Sequence, residues 1–324
     1  MISSQTIKQT AQSCGFALCG VAKATLLGLA KERFQKALTQ NFHAQKAYLE
    51  RDIDKRFTPE LILENCKSVV VCGFNYNTTR MENGEWKMEN EKQCRGEIFF
   101  APNTQNNNFK FTKHAQIKDY HIFMKEKLEK LAQDLQEKYG VFNYKTTVDS
   151  SHISEKAWAV QAGIGYYGKN GIIQTEIGSF VFLGILLIDV EVDEYDTPNT
   201  KTCGKCNKCI AACPTQAIVA PYYIDCNQCI THYASNRKET DFSRIAQYGW
   251  LNGCDVCQDV CPHNKNALVN EEAVAMRAPF VENQNEILAT LTPESFERYF
   301  KDTVIYSFKY EGLMMRLNTL CETL

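Results

Sequence analysis

"CGKCNKCIAACPTQAI", residues 203–218, sets four cysteines within eleven residues and follows the last of them with proline. That density calls for a metal or a disulfide. The chain carries 15 cysteines among 324 residues, and its 36 basic and 38 acidic residues leave a formal net charge of −2. "MISSQTIKQTAQSCGFALCG" at the start lacks a charged segment followed by a long apolar run, and "FVFLGILLIDV" is too short to span a bilayer. The expectation is a soluble, cytoplasmic protein. Thiols in a reducing compartment point to metal ligation and not to a disulfide framework. The near-neutral charge gives no electrostatic case for a nucleic-acid partner, so any RNA contact must come from a local patch.

The cysteines fall into two blocks: Cys203, Cys206, Cys209 and Cys213-Pro214, then Cys229, Cys254, Cys257 and Cys261-Pro262. Three cysteines at successive three-residue spacings wrap one corner of a cubane cluster, and in two-cluster runs the cysteine before proline serves the other cluster. That rule assigns Cys203, Cys206, Cys209 and Cys261 to one [4Fe–4S] cluster, and Cys213, Cys229, Cys254 and Cys257 to a second. The alternative is a pair of Cys₄ zinc sites, which rarely show a CxxCxxCxxxCP run. Cys14, Cys19, Cys66, Cys72, Cys94, Cys226 and Cys321 read as buried or spare thiols. Cys226, three residues before Cys229, could compete as a ligand.

The first 190 residues alternate helical and strand patterns. "TIKQTAQSCGFALCGVA" reads as a helix ending near Gly15 and then a short strand. "TPELILENCKSVVVCGFNY" repeats the logic, with a Thr58 cap, Pro59 at the first helical position and a β-branched strand. Met124, Leu128, Leu131 and Leu135 recur at helical spacing before Gly140, an amphipathic helix over 119–139. "FNYKTTVD" is a strand delivering Asp149, "ISEKAWAVQAGI" a helix, and "SFVFLGILLIDV" a strand buried on both faces. Residues 76–118 read as a polar surface excursion, and the acidic 189–201 as a boundary. The organisation expected is α+β: an α/β domain over 1–190, a ferredoxin-like double-cluster module over 191–270, and a helical segment over 271–324 that packs back on the body.

"RDIDKRFTPELILENCKSVVV", "KDYHIFMKEKLEKL", "VDSSHISEKAWAVQAGIGYYGKN", "GSFVFLG", "CGKCNKCIAACPTQAI", "DCNQCIT" and "GCDVCQDVCPHN" follow in the order and spacing of the epoxyqueuosine reductase family. The chain resembles that family from about residue 5 to 320. The resemblance implies a cobalamin-binding front domain akin to nitroreductase-like, cobalamin-processing proteins, fed by two [4Fe–4S] clusters. It also implies a reaction: two-electron reduction of epoxyqueuosine to queuosine at the wobble position of a tRNA anticodon loop. It implies Asp149 as proton donor, a role that asks for a pKa raised by burial against corrinoid and substrate; the plain alternative is a helix cap. The corrinoid contacts implied are Arg56, Thr112, Asp149, Ile173, Leu183, Thr231 and Asp255. No histidine is implied as a cobalt ligand, although His114, His121, His152 and His232 are available.

Departures from the family pattern are Lys156 in place of an arginine, Tyr166 in place of tryptophan, Ile185 in place of a frequent glutamate, and His263 where tryptophan or leucine often stands. Lys156 lacks the planar fork for a bidentate phosphate contact. Lys205, Lys208, Arg237, Lys238 and Arg244 are the candidate tRNA grip, each equally readable as a solvated face. The partners expected are tRNA and a low-potential electron donor, with the protein a monomer. Two other readings remain: a corrinoid iron–sulfur reductase acting on a small molecule, and a plain electron carrier. The first usually has an export signal and other proton donors; the second has no use for the motifs around Asp149.

Overall fold

The computed structural model describes residues 1–82, 85–87, 109–149 and 152–323, with side chains left aside at 81–82, 85–87 and 323. Its centre is a four-stranded sheet of β1 (Leu18–Lys23), β2 (Ser68–Asn75), β3 (Tyr144–Thr147) and β4 (Val181–Ile188). The strand order is β1-β2-β4-β3, and every pairing is antiparallel. The front half is therefore a helix-covered antiparallel sheet, which agrees with the mixed α+β class expected.

β-branched "SVVV" fits the middle of this sheet because β2 is buried along its whole length. Helix α1 (Ser4–Ser13) precedes β1, as expected, with Gly15 in the left-handed region at φ 85. Helix α2 (Tyr120–Tyr139) buries Met124, Leu128, Leu131 and Leu135 against Val70, Cys72, Phe74 and Leu186. Each such leucine contributes about 1.5–3 kcal/mol by leaving water. The approach is close: a Cβ on Gly184 would stand 2.9 Å from Leu128 Cδ1 and 3.0 Å from Met124 Cε. Helix α3 (Glu155–Gln161) covers the opposite face, with Trp158 and Ala159 on Val69, Val71, Ile185 and Leu187. After Thr58 the expected helix shrinks to one 3₁₀ turn, Pro59–Leu61, and the Thr58 side chain makes no cap. Asn65, left-handed at φ 58, turns the chain into β2.

The stretch 76–118 departs from expectation where it is described; residues 83–84 and 88–108, with Cys94, lie outside the described residues. Asn77, Thr78 and Thr79 are buried, and Asn77 Nδ2 donates to the Thr79 and Leu268 carbonyls at 2.8 and 3.2 Å. Phe109 and Phe111 enter a core with Phe280, Phe296 and Phe300. The flanks of the stretch thus tie the sheet to the C-terminal third, because buried amides must find partners there. Residues 189–201 also pack down: Val192 bridges to Ile2, and Asp196 accepts from Lys8 Nζ and Val21 N.

The cysteine-rich region holds α4 (Lys208–Ala212), α5 (Ile230–Ser235) and α6 (Val256–Asp259), with a small hairpin of Ile218–Ala220 and Tyr223–Ile224. Beyond it, α7 (Pro293–Phe300) and α8 (Lys309–Thr323) pack back as expected. Arg316 on α8 is 2% exposed. Its guanidinium lies between the rings of Phe242 and Phe308 and donates to the Ala234, Asn236 and Gly312 carbonyls. Among the described residues no helix is long and apolar enough to cross a membrane.

Candidate active site

Strand β3 ends at Thr147, and Asp149 follows with a left-handed backbone, φ 49. Aspartate tolerates this conformation better than most residues. Thr147 pairs with Ile185, so the same register carried forward sets Asp149 beside Leu183 of β4. Tyr120, at the start of α2, donates its hydroxyl to Asp149 Oδ2 at 2.9 Å. His121 Nε2 stands 3.8 Å from the same oxygen, and His121 Nδ1 is 2.7 Å from Asp119 Oδ1. Asp119 is the helix cap, since its Oδ1 also accepts the His121 backbone N–H. On the other side, the Asp149 N–H donates to Glu155 Oε1 at 3.1 Å. Asp149 is thus a catalytic candidate held at a strand end, and Asp119, not Asp149, is the carboxylate that caps a helix here.

The Asp149 side chain is 68% exposed, yet burial is the largest single influence on its ionisation. Solvent reaches the carboxylate while protein packs around it. Burial pushes the carboxyl up; contacts from His121 and Tyr120, with the charges of His121 and Lys156, outweigh it and hold the group below its ordinary value. The surroundings this chain alone supplies thus lower the Asp149 pKa, whereas the raised value is expected against bound corrinoid and substrate. The neighbours diverge from one another. Burial raises Glu155 to about 7 and lowers His114 to about 4. His121, held by Asp119 and then by Asp149, rises to about 9. Such spread among adjacent groups is the signature of acid–base work.

The other residues expected at the site are held as follows. Arg56 is buried, stacks over Phe34, and donates from a terminal nitrogen to the Tyr48 carbonyl, while its Nε has no partner. Its backbone carbonyl accepts from Ser154 N, just ahead of α3. Lys156 Nζ donates to the Gly171 carbonyl at 2.9 Å, two residues before buried Ile173; burial lowers its pKa. Thr112 bonds to His114 Nδ1 and to Asn252, and the next backbone N–H, of Lys113, donates to buried Asp255 at 2.7 Å. His114, the partner of Thr112, feels the Asp149 charge. Thr231 is half-buried on α5. Arg237 reaches Asp119 with its charge; of the five basic residues singled out, all exposed, it overlooks the crevice.

The cysteines of the two blocks come near one another in space. Cys261, distant in sequence, lies in the fields of Cys203, Cys206 and Cys209. Cys254 lies in those of Cys229 and Cys213, and Cys257 in those of Cys254, Cys229 and, more weakly, Cys209. Cys226 instead neighbours Lys46 and Lys156 as well as Cys229. Burial drives the Cys254 thiol up to about 12 and Cys257 well up; thiolates in such places need a metal's positive charge. The donor set fits two iron–sulfur clusters.

The "GKN" loop holds these cysteine loops. Lys169 Nζ donates to the Gly204 carbonyl and Asn207 Oδ1, both at 2.8 Å, and Asn170 Nδ2 donates to the Cys257 carbonyl at 3.2 Å. Gln174, 1% exposed, accepts from Cys261 Sγ at 3.5 Å. Two of the departures from the family pattern meet: Tyr166 Oη lies 3.1 Å from His263 Nε2. Sequence reading missed Glu155, Tyr120, Lys169 and Gln174, although "DYH" and "GKN" contain two of them.

Comparison with known proteins bears on this arrangement. Residues 202–264 match the family model described as a 4Fe-4S double cluster binding domain, and residues 56–150 that of epoxyqueuosine reductase QueG, DUF1730. An epoxyqueuosine reductase of Cyclobacterium marinum is 34% identical over 319 residues, 97% of this chain and 96% of its own. The chain belongs to the epoxyqueuosine reductase family. A second member, from Cellulophaga algicola, is 33% identical, with 98% of this chain and 97% of its own covered. Among solved structures, a selenomethionine-labelled epoxyqueuosine reductase superposes with a TM-score of 0.78 at 27% identity, covering 98% of this chain and 81% of that one. An epoxyqueuosine reductase with an epoxyqueuosine-modified tRNA-Tyr stem loop gives 0.77 at 27% identity with the same coverage.

Proposed function

We propose that this chain is an oxidoreductase that reduces epoxyqueuosine to queuosine in the anticodon stem-loop of tRNA. The observation that carries the reading is the crevice itself. Asp149 is held by Tyr120 and Glu155 with His121 close by, and the loop of Lys169 and Asn170 bonds to the cysteine loops at Gly204, Asn207 and Cys257; these contacts are what the crevice reading rests on. Cys203, Cys206, Cys209 and Cys261 hold one [4Fe–4S] cluster; Cys213, Cys229, Cys254 and Cys257 hold the other. The crevice takes cobalamin, with Arg56, Thr112, Ile173, Leu183, Thr231 and Asp255 around it. The fit is supported by the orphan Arg56 Nε, a buried donor suited to the amide carbonyls on a corrinoid rim. When bound, the corrinoid supplies a low-valent cobalt nucleophile.

The chain's own residues do the rest. Residues 1–190 form the binding and catalytic part, 191–270 the electron-conducting part, and 271–324 a helical brace. Asp149 delivers the proton that the departing oxygen needs, since an oxyanion leaves poorly from a crevice. Tyr120 and Glu155 fix the orientation of its carboxyl and backbone. Arg237, with Lys205, Lys208, Lys238 and Arg244, meets tRNA phosphates, and the protein works as a monomer with a low-potential donor.

The test is Asp149→Asn in protein loaded with iron and cobalamin, assayed on an epoxyqueuosine-bearing stem loop under a low-potential reductant. Turnover should fall by about 10²–10⁴-fold while iron content and stem-loop affinity hold. Turnover near wild type removes Asp149 from the role, and absence of turnover in the wild type removes the reaction.

A further inference from the structure

Reducing an epoxide to an alkene takes two electrons and two protons: both C–O bonds break and the oxygen departs as water. The clusters account for the electrons. The protons must come from the chain, and Asp149 as the crevice holds it is a carboxylate, which has none to give. One of the groups around it must load it.

The neighbours can be taken in turn. Tyr120 donates to Asp149 but burial pushes its hydroxyl far above the ordinary range, so it stays an orienting donor. Burial keeps His114 neutral. Lys156 spends its ammonium on the Gly171 carbonyl. Glu155 engages Asp149 at its backbone N–H, with no hydrogen bond to Oδ2 among those of the described residues. Arg237 reaches only Asp119 and does not give up its proton. His121 differs from all of these. Its ring is stacked on Tyr120 with centroids 4.1 Å apart, Nδ1 is 2.7 Å from Asp119 Oδ1, and Nε2 is 3.8 Å from Asp149 Oδ2. Carboxylates at both nitrogens favour the doubly protonated ring. The imidazole is 40% exposed, so solvent can reprotonate it.

We propose that His121, acting through Asp149, is the positioning residue that stores the proton and supplies it to the oxygen leaving epoxyqueuosine, a step resting on the function proposed above. The Nε2–H proton passes to Asp149 Oδ2 and the Asp149 carboxyl passes a proton to the substrate oxygen; the neutral ring regains one from water. The relay works twice per turnover, once for each C–O bond. A closure of about 1 Å turns the 3.8 Å contact into a hydrogen bond, an ordinary tightening as a site fills. Asp119 keeps the ring in place because it is tied to the first turn of α2.

Two measurements test this. In cluster-containing protein without corrinoid, the ¹⁵N-imidazole signal that disappears in His121→Gln should titrate near pH 9 and fall toward 6.5 in Asp119→Asn. A wild-type signal titrating near 6.5 overturns the proposal. In the loaded enzyme, the wild-type rate should hold level up to about pH 9. His121→Gln, with iron content and stem-loop affinity intact, should lose about tenfold per pH unit across the neutral range and be restored toward acid pH. A level profile in that variant also overturns it. If wild type does not turn over the stem loop, the reaction assigned above fails, while the imidazole titration still decides whether His121 stores a proton.

Discussion

Glu155→Gln is the substitution from which the electrostatics of the crevice can be read without any substrate. Burial, with the Asp149 charge behind it, raises the Glu155 carboxyl from 4.5 to about 7. Below about pH 4.5 both the folded and the unfolded chain hold the proton. Between 4.5 and 7 the unfolded chain releases it while the folded one keeps it, so the fold loses stability as pH rises through that window. Above 7 the folded chain carries the full cost of a buried charge. At about 1.4 kcal/mol per pH unit the ceiling is about 3 kcal/mol, and because Glu155 is half-buried, screening reduces this to about 1–2 kcal/mol. Glutamine keeps an oxygen for the Asp149 N–H and has no charge to bury. The assay is the apparent melting midpoint of cluster-loaded protein at one scan rate under anaerobic conditions. Wild type and variant should melt together near pH 4.5, and the variant should melt about 2–5 °C higher at pH 8. A difference that does not change between those pH values refutes the assignment of a raised carboxyl at Glu155.

Two other substitutions probe the architecture. Arg316→Leu removes donors from the Ala234, Asn236 and Gly312 carbonyls; relief of the buried cation offsets part of the loss, leaving a destabilisation of about 2–4 kcal/mol, read as a melting midpoint several degrees lower with low-temperature turnover unchanged. Lys169→Met removes the two hydrogen bonds to Gly204 and Asn207, each worth about 1.5–3 kcal/mol; iron should leave to a chelator at least about tenfold faster, and a chelation rate equal to wild type refutes the clamp.

Local pattern was legible where one element decides it. Met124, Leu128, Leu131 and Leu135 share a helical face whatever they pack against, and the cysteine spacings already grouped Cys261 with Cys203, Cys206 and Cys209. Long-range pairing was not. Nothing in "SVVVCGF" or "FVFLGILLIDV" says that these strands run antiparallel, side by side, because that depends on how about a hundred intervening residues return. Asn77–Thr79 look like surface, and they are buried only because the Ala267 and Leu268 carbonyls meet them. The surroundings of Asp149 were not legible for the same reason. Burial could be anticipated from its place at a strand end, but the Tyr120 hydroxyl and the Asp119–His121 pair that outweigh it are about thirty residues away in the chain.

The same geometry explains why so many neutral-looking residues sit between the two halves. In the proposed reaction protons enter from the side of α2 and β3 and electrons from the cysteine loops, and both meet one substrate atom. Their relative placement is therefore fixed by the contacts that join the halves. Lys169 and Asn170 grip the loops at Gly204 and Cys257. Ser179, Gln258 and Asn264 form a fully buried hydrogen-bonded set across the same seam. A buried polar network is costly unless every member is satisfied, and when satisfied it admits one arrangement. An apolar seam of equal area would hold the halves together as firmly and leave them free to slide. Orientation at the level of a hydrogen bond, which a proton transfer from Asp149 demands, needs the polar seam.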